Sequence, residues 1–518
     1  MSRIKKILRY FLLLVLVLAV GLVATAKLGY RPLPDNSQRP ASQRFAAADT
    51  AATLLGKAVA KETAAHPGLT GIFPLYDGHD AFAARTVLAD VAERSIDAQY
   101  FIWRDDTAGH LVFQALLKAA NRGVRVRLLL DDNNTPGMDG VLLALDQHPN
   151  IEVRLFNPFM QRQQRVVGFM SDFYRLNRRM HNKSFTVDNQ ITVMGGRNVA
   201  DEYYETGVGM AFADLDVAAV GPVVDATSQQ FDQYWESAAV YPASAIIPAD
   251  TQPAVLDGTP RTDAATQAYL KAVAASTLMQ QLQQGDLPLH WTTAEVISDH
   301  PGKGLGEAPK GSHVLDKILP VMLGAQQELS IVSAYFVPTQ AGTDLLVQLR
   351  QKPVEVKLLT NSLSATDVLP VHAGYARYRD NLLRAGVKIH ELKRGAAVAQ
   401  PVAFGPGGSS DASLHAKVFS VDRKHIFIGS FNMDPRSADL NTEMGLLLES
   451  PVLAQLLEDA LAQKNPVFSY ELEWRDQQVL WHSHEGGATY TWKSEPDVSW
   501  QKRALTAFLA LLPIEHLL

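Results

Sequence analysis

Two copies of one short pattern contain the residues of this 518-residue chain that are best suited to catalysis. In each copy a histidine stands two residues before a lysine, and an aspartate, two small residues and an asparagine follow. The first copy contains His181, Lys183, Asp188, Gly195, Gly196 and Asn198, and the second contains His415, Lys417, Asp422, Gly429, Ser430 and Asn432. Both copies keep one register, since 415 − 181 = 234 and 432 − 198 = 234.

Phosphodiester chemistry would explain why these residue types occur as a pair of sets. Such a reaction needs a nucleophile, a proton donor for the leaving alcohol, and cations or amides around the transferring oxygens. Two imidazoles meet the first two needs, and paired lysines and asparagines meet the third without a metal or other cofactor. The expected catalytic residues are His181, Lys183, Asn198, His415, Lys417 and Asn432. Gly196 and Ser430 are expected beside the phosphate, because small residues let the backbone approach a ligand.

A nucleophilic histidine also needs an acceptor that holds its second ring nitrogen. Two carboxylates occupy matching places, because Asp214 and Glu443 each lie eight residues before a proline, Pro222 or Pro451, and lead into apolar strands. We predict that Asp214 and Glu443 orient the histidines and count them among the catalytic residues. Asp216 is the alternative in the first half, and solvated carboxylates at a strand edge are the alternative for both.

The spacing within each copy predicts a β-hairpin. A histidine and a lysine two positions apart on an extended chain face the same side. Ser184–Val187 and Ile191–Met194 are predicted to pair around a turn at Asp188, and the second copy repeats this hairpin around Asp422. Because both aspartates lie at turns, we expect them to have a structural role.

The hairpins lie inside a longer duplication. Ser95–Ile102 resembles Leu329–Val337, and a helix and a second apolar strand follow each of these segments. Alternating strands and helices predict an α/β fold. We therefore expect two pseudo-symmetric lobes, each with a mixed sheet flanked by helices, that share one active site and follow an N-terminal membrane anchor.

The N-terminus has the composition of an exported protein. Four basic residues precede an apolar run over residues 11–26, which favours a membrane anchor over a cleaved signal. Either reading places the body outside the cytoplasmic membrane. The predicted divisions are an anchor or signal (1–28), a linker and helix (29–70), the first lobe (71–255), an inter-lobe segment (256–310), the second lobe (311–465) and a C-terminal extension with an amphipathic helix (466–518).

Charge and cysteine content exclude some functions. The formal net charge is −6, and the first 26 residues carry four basic side chains and no acid, so the rest has −6 − 4 = −10. A protein that grips nucleic acid normally presents a basic surface, so this balance argues against a nuclease. The chain has no cysteine, which excludes thiol nucleophiles and disulfides.

Three further segments leave alternatives open. Five arginines within residues 161–180 are typical of a surface helix or of a basic face toward anionic lipid, and the position before His181 favours the second. Residues 395–413 are rich in glycine, alanine and serine and form either a flexible connection or a mobile lid. Apolar residues at helical spacing in residues 500–512 favour packing on the core over lying in a membrane interface.

The two motifs resemble those of the phospholipase D superfamily, and the resemblance extends from about Ile72 to the C-terminus. Within it, Asp97–Trp103, Arg122–Asp132, His148–Phe159 and Arg178–Asn198 resemble bacterial cardiolipin synthases of the C type. The resemblance implies one site between two lobes, with His181 as the nucleophile that the substrate phosphorylates and His415 as the general acid and base. It also implies that the motif lysines and asparagines bind the phosphate. One departure is Gly196, where many relatives have serine.

The resemblance further implies transfer of a phosphatidyl group between phospholipids, which yields cardiolipin. Phosphatidylethanolamine or phosphatidylglycerol would be the donor and phosphatidylglycerol the acceptor. The expected setting is the bacterial inner membrane, with the catalytic body on the periplasmic side and phospholipids, not nucleic acid, as partners. A hydrolytic phospholipase D, a nuclease of the superfamily and an inactive membrane scaffold are the alternatives.

Overall fold

The fold is described from a computed structural model of the chain. It covers residues 27–37, 39–207, 211–256, 263–285, 287–394 and 412–518, and a few isolated positions before residue 27. Nearly all of the predicted anchor (1–28) and of the predicted connection or lid (395–413) lies outside these residues. Among the residues covered, no helix is both long and apolar enough to cross a membrane.

The first lobe is built on a nine-stranded mixed sheet. Its strands are β1 (Thr70–Leu75), β2 (Ser95–Tyr100), β3 (Arg125–Asp131), β4 (Ile151–Phe156), β5 (Ser184–Val187), β6 (Ile191–Gly195), β8 (Asp216–Val220), β9 (Val240–Pro242) and β10 (His290–Thr292). One further short strand, β7 (Ala211–Ala213), does not belong to this sheet. The order across the sheet is β10-β1-β8-β6-β5-β2-β3-β4-β9. Only β2, β3 and β4 run parallel to one another.

The second lobe is built on a ten-stranded sheet of the same design. Its strands are β11 (Ala294–Ser298), β12 (Glu328–Ser333), β13 (Glu355–Asn361), β14 (Lys388–Leu392), β16 (Lys417–Val421), β17 (His425–Gly429), β18 (Met444–Glu449), β19 (Ser469–Arg475), β20 (Gln478–Glu485) and β21 (Ala488–Trp492). The short strand β15 (Ala412–Leu414) does not belong to this sheet. The order is β11-β18-β17-β16-β12-β13-β14-β19-β20-β21. From β1 to β9 and from β11 to β19 the two orders match strand for strand, which is the topology of a duplicated lobe.

Helices flank both sheets. In the first half the α-helices are Leu54–Ala64, Gly78–Val91, Thr107–Asn121, Asp139–Asp146, Arg165–Ser171, Phe173–Leu176, Pro222–Trp235, Ala243–Ile246, Ala264–Ala274 and Thr277–Gln284. In the second half they are Val314–Leu323, Thr339–Gln351, Leu369–Arg384, Pro451–Phe468 and Trp500–Leu509. Shorter helical turns are Ala47–Thr50, Asp132–Asn134, Asp201–Tyr203, Pro301–Leu305, Arg436–Leu440 and Glu515–Leu517. The mixed α/β architecture predicted from the duplication is thus observed.

A third apolar core, which contains residues of both lobes, joins the two lobes. Each lobe has a buried cluster between its sheet and its helices. A third cluster brings Val217 and Met194 of the first sheet together with Val418, Ile426 and Leu446 of the second. Apolar burial of this extent holds the inner sides of the two sheets together. Strands β7 and β15 add a parallel pair that contains one strand from each lobe.

The segments outside the predicted lobes also join the sheets. Within the predicted inter-lobe segment, β10 pairs with β1 of the first sheet and β11 pairs with β18 of the second. The C-terminal extension was expected to contribute a helix, but it also supplies β19, β20 and β21. Two turns with positive φ, Asp476-Gln477 and Gly486-Gly487, connect these strands. Alternating polar and apolar residues around Gly486-Gly487 are the sequence signal that this expectation missed.

Candidate active site

The two motif histidines lie where the lobes meet, and backbone hydrogen bonds between the lobes fix both. The backbone N–H of His181 donates to the carbonyl of Thr442 (2.8 Å), and the backbone N–H of His415 donates to the carbonyl of Ala213 (2.8 Å). Thr442 and Ala213 directly precede the two carboxylates that the sequence singled out, Glu443 and Asp214. Each lobe therefore presents a carboxylate to the histidine of the other lobe.

The pair formed by His181 and Glu443 is fully buried. Nδ1 of His181 lies 2.8 Å from Oε2 of Glu443, and the hydroxyls of Ser430 (2.5 Å) and Ser437 (2.9 Å) also donate to this carboxylate. Burial raises the pKa of Glu443 to about 7, although Lys183 and the two hydroxyls favour its charged form. Burial and the charge of Lys183 hold the pKa of His181 well below its ordinary value, so this imidazole is neutral at pH 7.

The pair formed by His415 and Asp214 has a different electrostatic balance. Nδ1 of His415 lies 2.6 Å from Oδ2 of Asp214, whose other oxygen accepts the backbone N–H of Leu215 (2.8 Å). Burial opposes the charge of Asp214, but the adjacent His415 ring and Lys417 outweigh it and lower the pKa of Asp214 to about 2. Burial and Lys417 lower the pKa of His415 to about 4. Asp214 is therefore a full anion at neutral pH, whereas Glu443 is close to its titration midpoint.

Both motif lysines are buried beside their histidines. Nζ of Lys183 donates to the carbonyl of His181 (2.6 Å), and Nζ of Lys417 donates to the carbonyl of His415. Burial lowers the pKa of Lys183 to about 7 and that of Lys417 to about 8. An anionic phosphate between the two lysines would favour their charged forms, because an opposite charge nearby raises the pKa of an amine.

Hydrogen bonds hold each motif asparagine against the backbone that follows β2 or β12. Oδ1 of Asn198 accepts the backbone N–H of Ile102 (3.0 Å), and its Nδ2 donates to the hydroxyl of Tyr203 (2.8 Å). Oδ1 of Asn432 accepts the backbone N–H of Tyr335 at 3.4 Å. The two asparagines thus have equivalent places, each facing the residues that follow β2 or β12.

Gly196 and Ser430 differ because their neighbouring carboxylates differ. A Cβ atom at position 196 would lie 2.0 Å from Oδ1 of Asp214, so no residue larger than glycine fits there without movement of that carboxylate. At the equivalent position Ser430 is accommodated, and its hydroxyl donates to Glu443. The short distance to Asp214 explains why the first motif has glycine where the second has serine.

The remaining acidic candidates lie outside the pocket between the histidines. Asp188 accepts the backbone N–H groups of residues 93–95, and Asp422 accepts those of residues 326–328, so each aspartate ties its hairpin to the segment that enters β2 or β12. Asp216, the alternative orienter, is paired instead with the buried Arg85 (2.8 Å). Its other oxygen accepts the backbone N–H of Arg197 at 3.0 Å.

Three of the five arginines before the first motif form ion pairs inside the first lobe and do not form a basic face toward lipid. Arg179 pairs with Asp131 at the end of β3 (2.7 Å), and Asp131 also accepts the backbone N–H of Met180 (2.7 Å). Arg162 and Arg165 pair with the buried Asp132. These arginines are held inside the first lobe, because two adjacent aspartates end a buried strand there, and Arg179 fixes the chain just before His181.

Sequence reasoning did not identify four aromatic rings around the histidines. The ring of Phe101 lies 4.9 Å from that of His181, and the rings of Tyr203 (5.1 Å), Phe212 (5.0 Å) and Tyr335 (6.5 Å) surround His415. Aromatic residues near the ends of β2 and β12, Tyr100-Phe101 and Tyr335-Phe336, were the available signal. These rings help to exclude water from the imidazoles and lower the local dielectric constant.

One group of potential metal ligands lies away from the two motifs. Among the residues that the structure describes, Asp77, His79 and Glu205 form a group of possible metal ligands whose ligand atoms all lie within 4.8 Å of one another. None of these three belongs to either motif. Beside the two imidazoles, each of which is paired through Nδ1 with a carboxylate, lie lysine and asparagine side chains that suit an anionic ligand.

Two stretches of the chain, residues 88–235 and 318–464, match the family described as cardiolipin synthase, PLD-like domain. The chain belongs to this family. Each matched stretch contains one of the two motifs, so the assignment to the phospholipase D superfamily that the sequence suggested is confirmed.

Similar proteins narrow the assignment within the family. The chain is 46% identical over 470 residues to cardiolipin synthase C of Escherichia coli strain K12, which covers 90% of this chain and 99% of that protein. It is 24% identical over 406 residues to cardiolipin synthase B of the same strain, covering 78% and 82%. The crystal structure of phosphatidylserine synthase from Haemophilus influenzae Rd KW20 has a TM-score of 0.55 at 15% identity and covers 89% of this chain and all of that one. This last likeness concerns the fold alone.

Proposed function

We propose that this protein is a phosphatidyltransferase that makes cardiolipin, with phosphatidylglycerol as the acceptor and phosphatidylethanolamine or phosphatidylglycerol as the donor. The observation that carries the proposal is the crossed arrangement of His181 with Glu443 and His415 with Asp214. It occurs in a chain that is 46% identical to a cardiolipin synthase C over nearly its whole length.

In the first step His181 would act as the nucleophile. With its Nδ1 proton donated to Glu443, its Nε2 keeps a lone pair, which attacks phosphorus. A P–N bond forms while the P–O bond to the head group breaks, and His415 gives its proton to the departing oxygen. The charge of the bound phosphate together with Asp214 raises the pKa of His415, so that this ring holds a proton once the substrate is bound.

In the second step His415 would act as the general base, and His181 would be the leaving group. The hydroxyl of the acceptor lipid gives its proton to His415, and its oxygen attacks phosphorus. The P–N bond breaks and His181 returns to its neutral form. Lys183, Lys417, Asn198 and Asn432 stabilise the charge on the non-bridging oxygens throughout, so that no metal is needed.

The carboxylates support this order of roles. A general acid needs an imidazolium, which a full anion such as Asp214 stabilises better than a carboxylate near its titration midpoint. A nucleophile needs a neutral imidazole, and Glu443, with its pKa near 7, favours the charged ring less. We therefore assign the nucleophile to His181 and the acid to His415.

The alternatives use the same residues with another acceptor or substrate. Water in place of the acceptor lipid would make the protein a phospholipase D that releases phosphatidic acid. A nuclease would need a basic groove, and the formal charge of −10 beyond residue 26 disfavours it.

We also propose that the protein works at the bacterial inner membrane, anchored by its N-terminal segment with the body on the periplasmic side. Exposed apolar side chains support a membrane-facing surface, since Leu28, Tyr30, Val166 and Tyr174 are exposed where the N-terminal segment meets the body. Nε2 of Gln161 donates to the carbonyl of Gly29 (2.9 Å) at this junction. The C-terminal helix packs beside Leu369–Arg384. This helix and the residues that follow it nevertheless leave large apolar side chains exposed, namely Trp500, Leu505, Phe508 and Leu511.

Expression in bacteria that lack cardiolipin tests the function. Cells with the intact protein should accumulate cardiolipin, whereas cells with His181→Ala or His415→Ala should accumulate none. His148→Ala, a histidine that lies outside both motifs, is the matched control and should behave as the intact protein. Accumulation of phosphatidic acid without cardiolipin would establish the hydrolase instead.

A further inference from the structure

The second lobe contains an apolar cavity of about 340 Å³ on the outer side of its sheet. It lies between helices Val314–Leu323 and Thr339–Gln351, with Leu329 and Ile331 of β12 as its floor. Leucines of both helices face it, among them Leu319, Leu345 and Leu346. This volume lies within the range of ligand pockets, whose walls are mostly apolar.

The first lobe fills the equivalent space with aromatic rings. Trp103 bridges to Val199, one residue after the motif asparagine, just as Phe336 bridges to Met433 in the second lobe. Trp103 stacks on Phe113 with 4.5 Å between the ring centroids, and its Nε1 donates to a backbone carbonyl of the following helix (3.2 Å). At the equivalent place in the second lobe, the smaller ring of Phe336 lines the cavity. Well-packed interiors contain few voids larger than a water molecule, so a cavity of this size requires an explanation.

The cavity adjoins the candidate active site. Phe431 and Met433, which flank the motif asparagine Asn432, line it. Val337 also lines it and donates its backbone N–H to the carbonyl of Met433 (2.8 Å). Two residues earlier, the ring of Tyr335 faces Nζ of Lys417 at 5.8 Å. The loop after β12 thus borders the candidate phosphate site on one side and the cavity on the other.

We infer that this cavity binds one fatty-acyl chain of a phospholipid whose phosphate lies between the two motifs. The inference rests on the proposed function, because a phospholipid is the substrate that brings an apolar chain close to the reacting phosphorus. The lining carries few polar groups, so it offers little to a peptide backbone, whose N–H and C=O groups need hydrogen-bond partners when buried. An acyl chain has no such need. The cavity would therefore position the phosphate by gripping its lipid tail.

The test compares two donors that differ only in chain length, dihexanoyl and dipalmitoyl phosphatidylethanolamine, in the same detergent micelles with phosphatidylglycerol as acceptor. The full-length protein is compared with Leu345→Trp and Leu319→Trp, which fill the cavity from its two walls. Val347→Trp is the matched control, because this residue lies on the same helix as Leu345 and does not line the cavity. Leu345→Ala enlarges the cavity.

The tryptophan variants should lower the ratio of kcat/KM for the long-chain donor to that for the short-chain donor by about tenfold, which corresponds to exclusion of roughly two methylene groups. Leu345→Ala should keep or raise this ratio, and Val347→Trp should leave it unchanged. An unchanged ratio in folded tryptophan variants, or an equal loss on both donors, would overturn the acyl-chain assignment. An intact protein that releases neither ethanolamine nor glycerol from these mixtures would overturn the proposed function itself, and the assignment with it.

Discussion

The two histidine–carboxylate pairs have the same geometry and different electrostatics. In both, Nδ1 of a histidine contacts a buried carboxylate from the other lobe, at 2.8 Å for His181 and 2.6 Å for His415. Yet burial raises the pKa of Glu443 to about 7, whereas its charged neighbours lower that of Asp214 to about 2 against the effect of burial. The duplicated lobes thus contain two histidine–carboxylate pairs with the same geometry, in which the two carboxylates differ in charge at neutral pH.

Under the proposed function, this difference would let a symmetric fold run an asymmetric reaction. A group-transfer reaction needs one imidazole that stays neutral and one that takes and gives a proton. The shorter, fully ionised Asp214 suits the second task. The longer Glu443, surrounded by two serine hydroxyls, suits the first. Because each carboxylate comes from the lobe opposite its histidine, neither lobe alone would form a competent pair.

Removal of the histidines should have the largest effect and separate their roles. With a phospholipid donor, His181→Ala and His415→Ala should each lower kcat by at least about 10⁴-fold, because each removes an obligatory group. With phosphatidyl-p-nitrophenol, whose leaving group departs without a proton, His415→Ala should still release about one equivalent of nitrophenolate per active site in a burst, whereas His181→Ala should release none. The measurement is stopped-flow absorbance. A burst from His181→Ala that His415→Ala lacks would reverse the assignment.

Neutralising the carboxylates should have the next largest effect, and an unequal one. Asp214→Asn should lower kcat by about 10³–10⁴-fold, as loss of the full anion beside an imidazole does elsewhere. Glu443→Gln should lower it by only about 10–10²-fold, because Glu443 already carries a partial charge. Equal losses in the two variants would contradict the electrostatic difference.

The pH profile sharpens the same comparison. The pKa of Glu443 is raised to about 7, so acidification below pH 7 protonates this acceptor and should lower kcat/KM. That acidic limb should be absent from Glu443→Gln and present in Asp214→Asn. On the basic side, Lys183 and Lys417, whose pKa values are lowered to about 7 and about 8, lose their charge and their attraction for phosphate.

A pair of substitutions at equivalent positions should give the smallest effects. Gly196→Ser places a Cβ atom against the carboxylate of Asp214, where only 2.0 Å is available. It should lower the free energy of unfolding by about 1–3 kcal/mol and reduce kcat, as overpacking does. Ser430→Ala removes only the hydroxyl that donates to Glu443, which should lower the free energy of unfolding by about 0.5–1.5 kcal/mol. Urea denaturation measures the free energy of unfolding of both variants. A Gly196→Ser protein as stable as the Ser430→Ala protein would contradict the steric account.

Periodicity and spacing made much of the fold predictable. The hairpins around Asp188 and Asp422 and the strand–helix alternation follow from residues close in sequence, so local rules are sufficient. The three strands of the C-terminal extension were missed, although the pattern around Gly486-Gly487 contained their signal. The extra edge strands β10 and β11 gave no comparable signal, because a three- to five-residue strand is too short for periodicity to identify.

The site was less predictable, because its contacts join residues far apart in the chain. Sequence reasoning singled out Asp214 and Glu443 but not the lobe to which each one points, since that depends on how the two sheets dock. Arg162, Arg165 and Arg179 do not form the basic face that was favoured, because Asp131 and Asp132 pair with them inside the lobe. Nothing in the sequence indicates these ion pairs. The reason for Gly196 likewise appears only when Asp214 is placed beside it.

The covalent intermediate tests the central assignment most directly. Full-length protein would be mixed with a donor phospholipid labelled at phosphorus, quenched in base within milliseconds, digested and mapped by mass spectrometry. The unlike charges of Asp214 and Glu443 predict label on His181 alone, and its disappearance when phosphatidylglycerol is added as acceptor. Label on His415, or on both histidines equally, would contradict the division of roles between the two lobes.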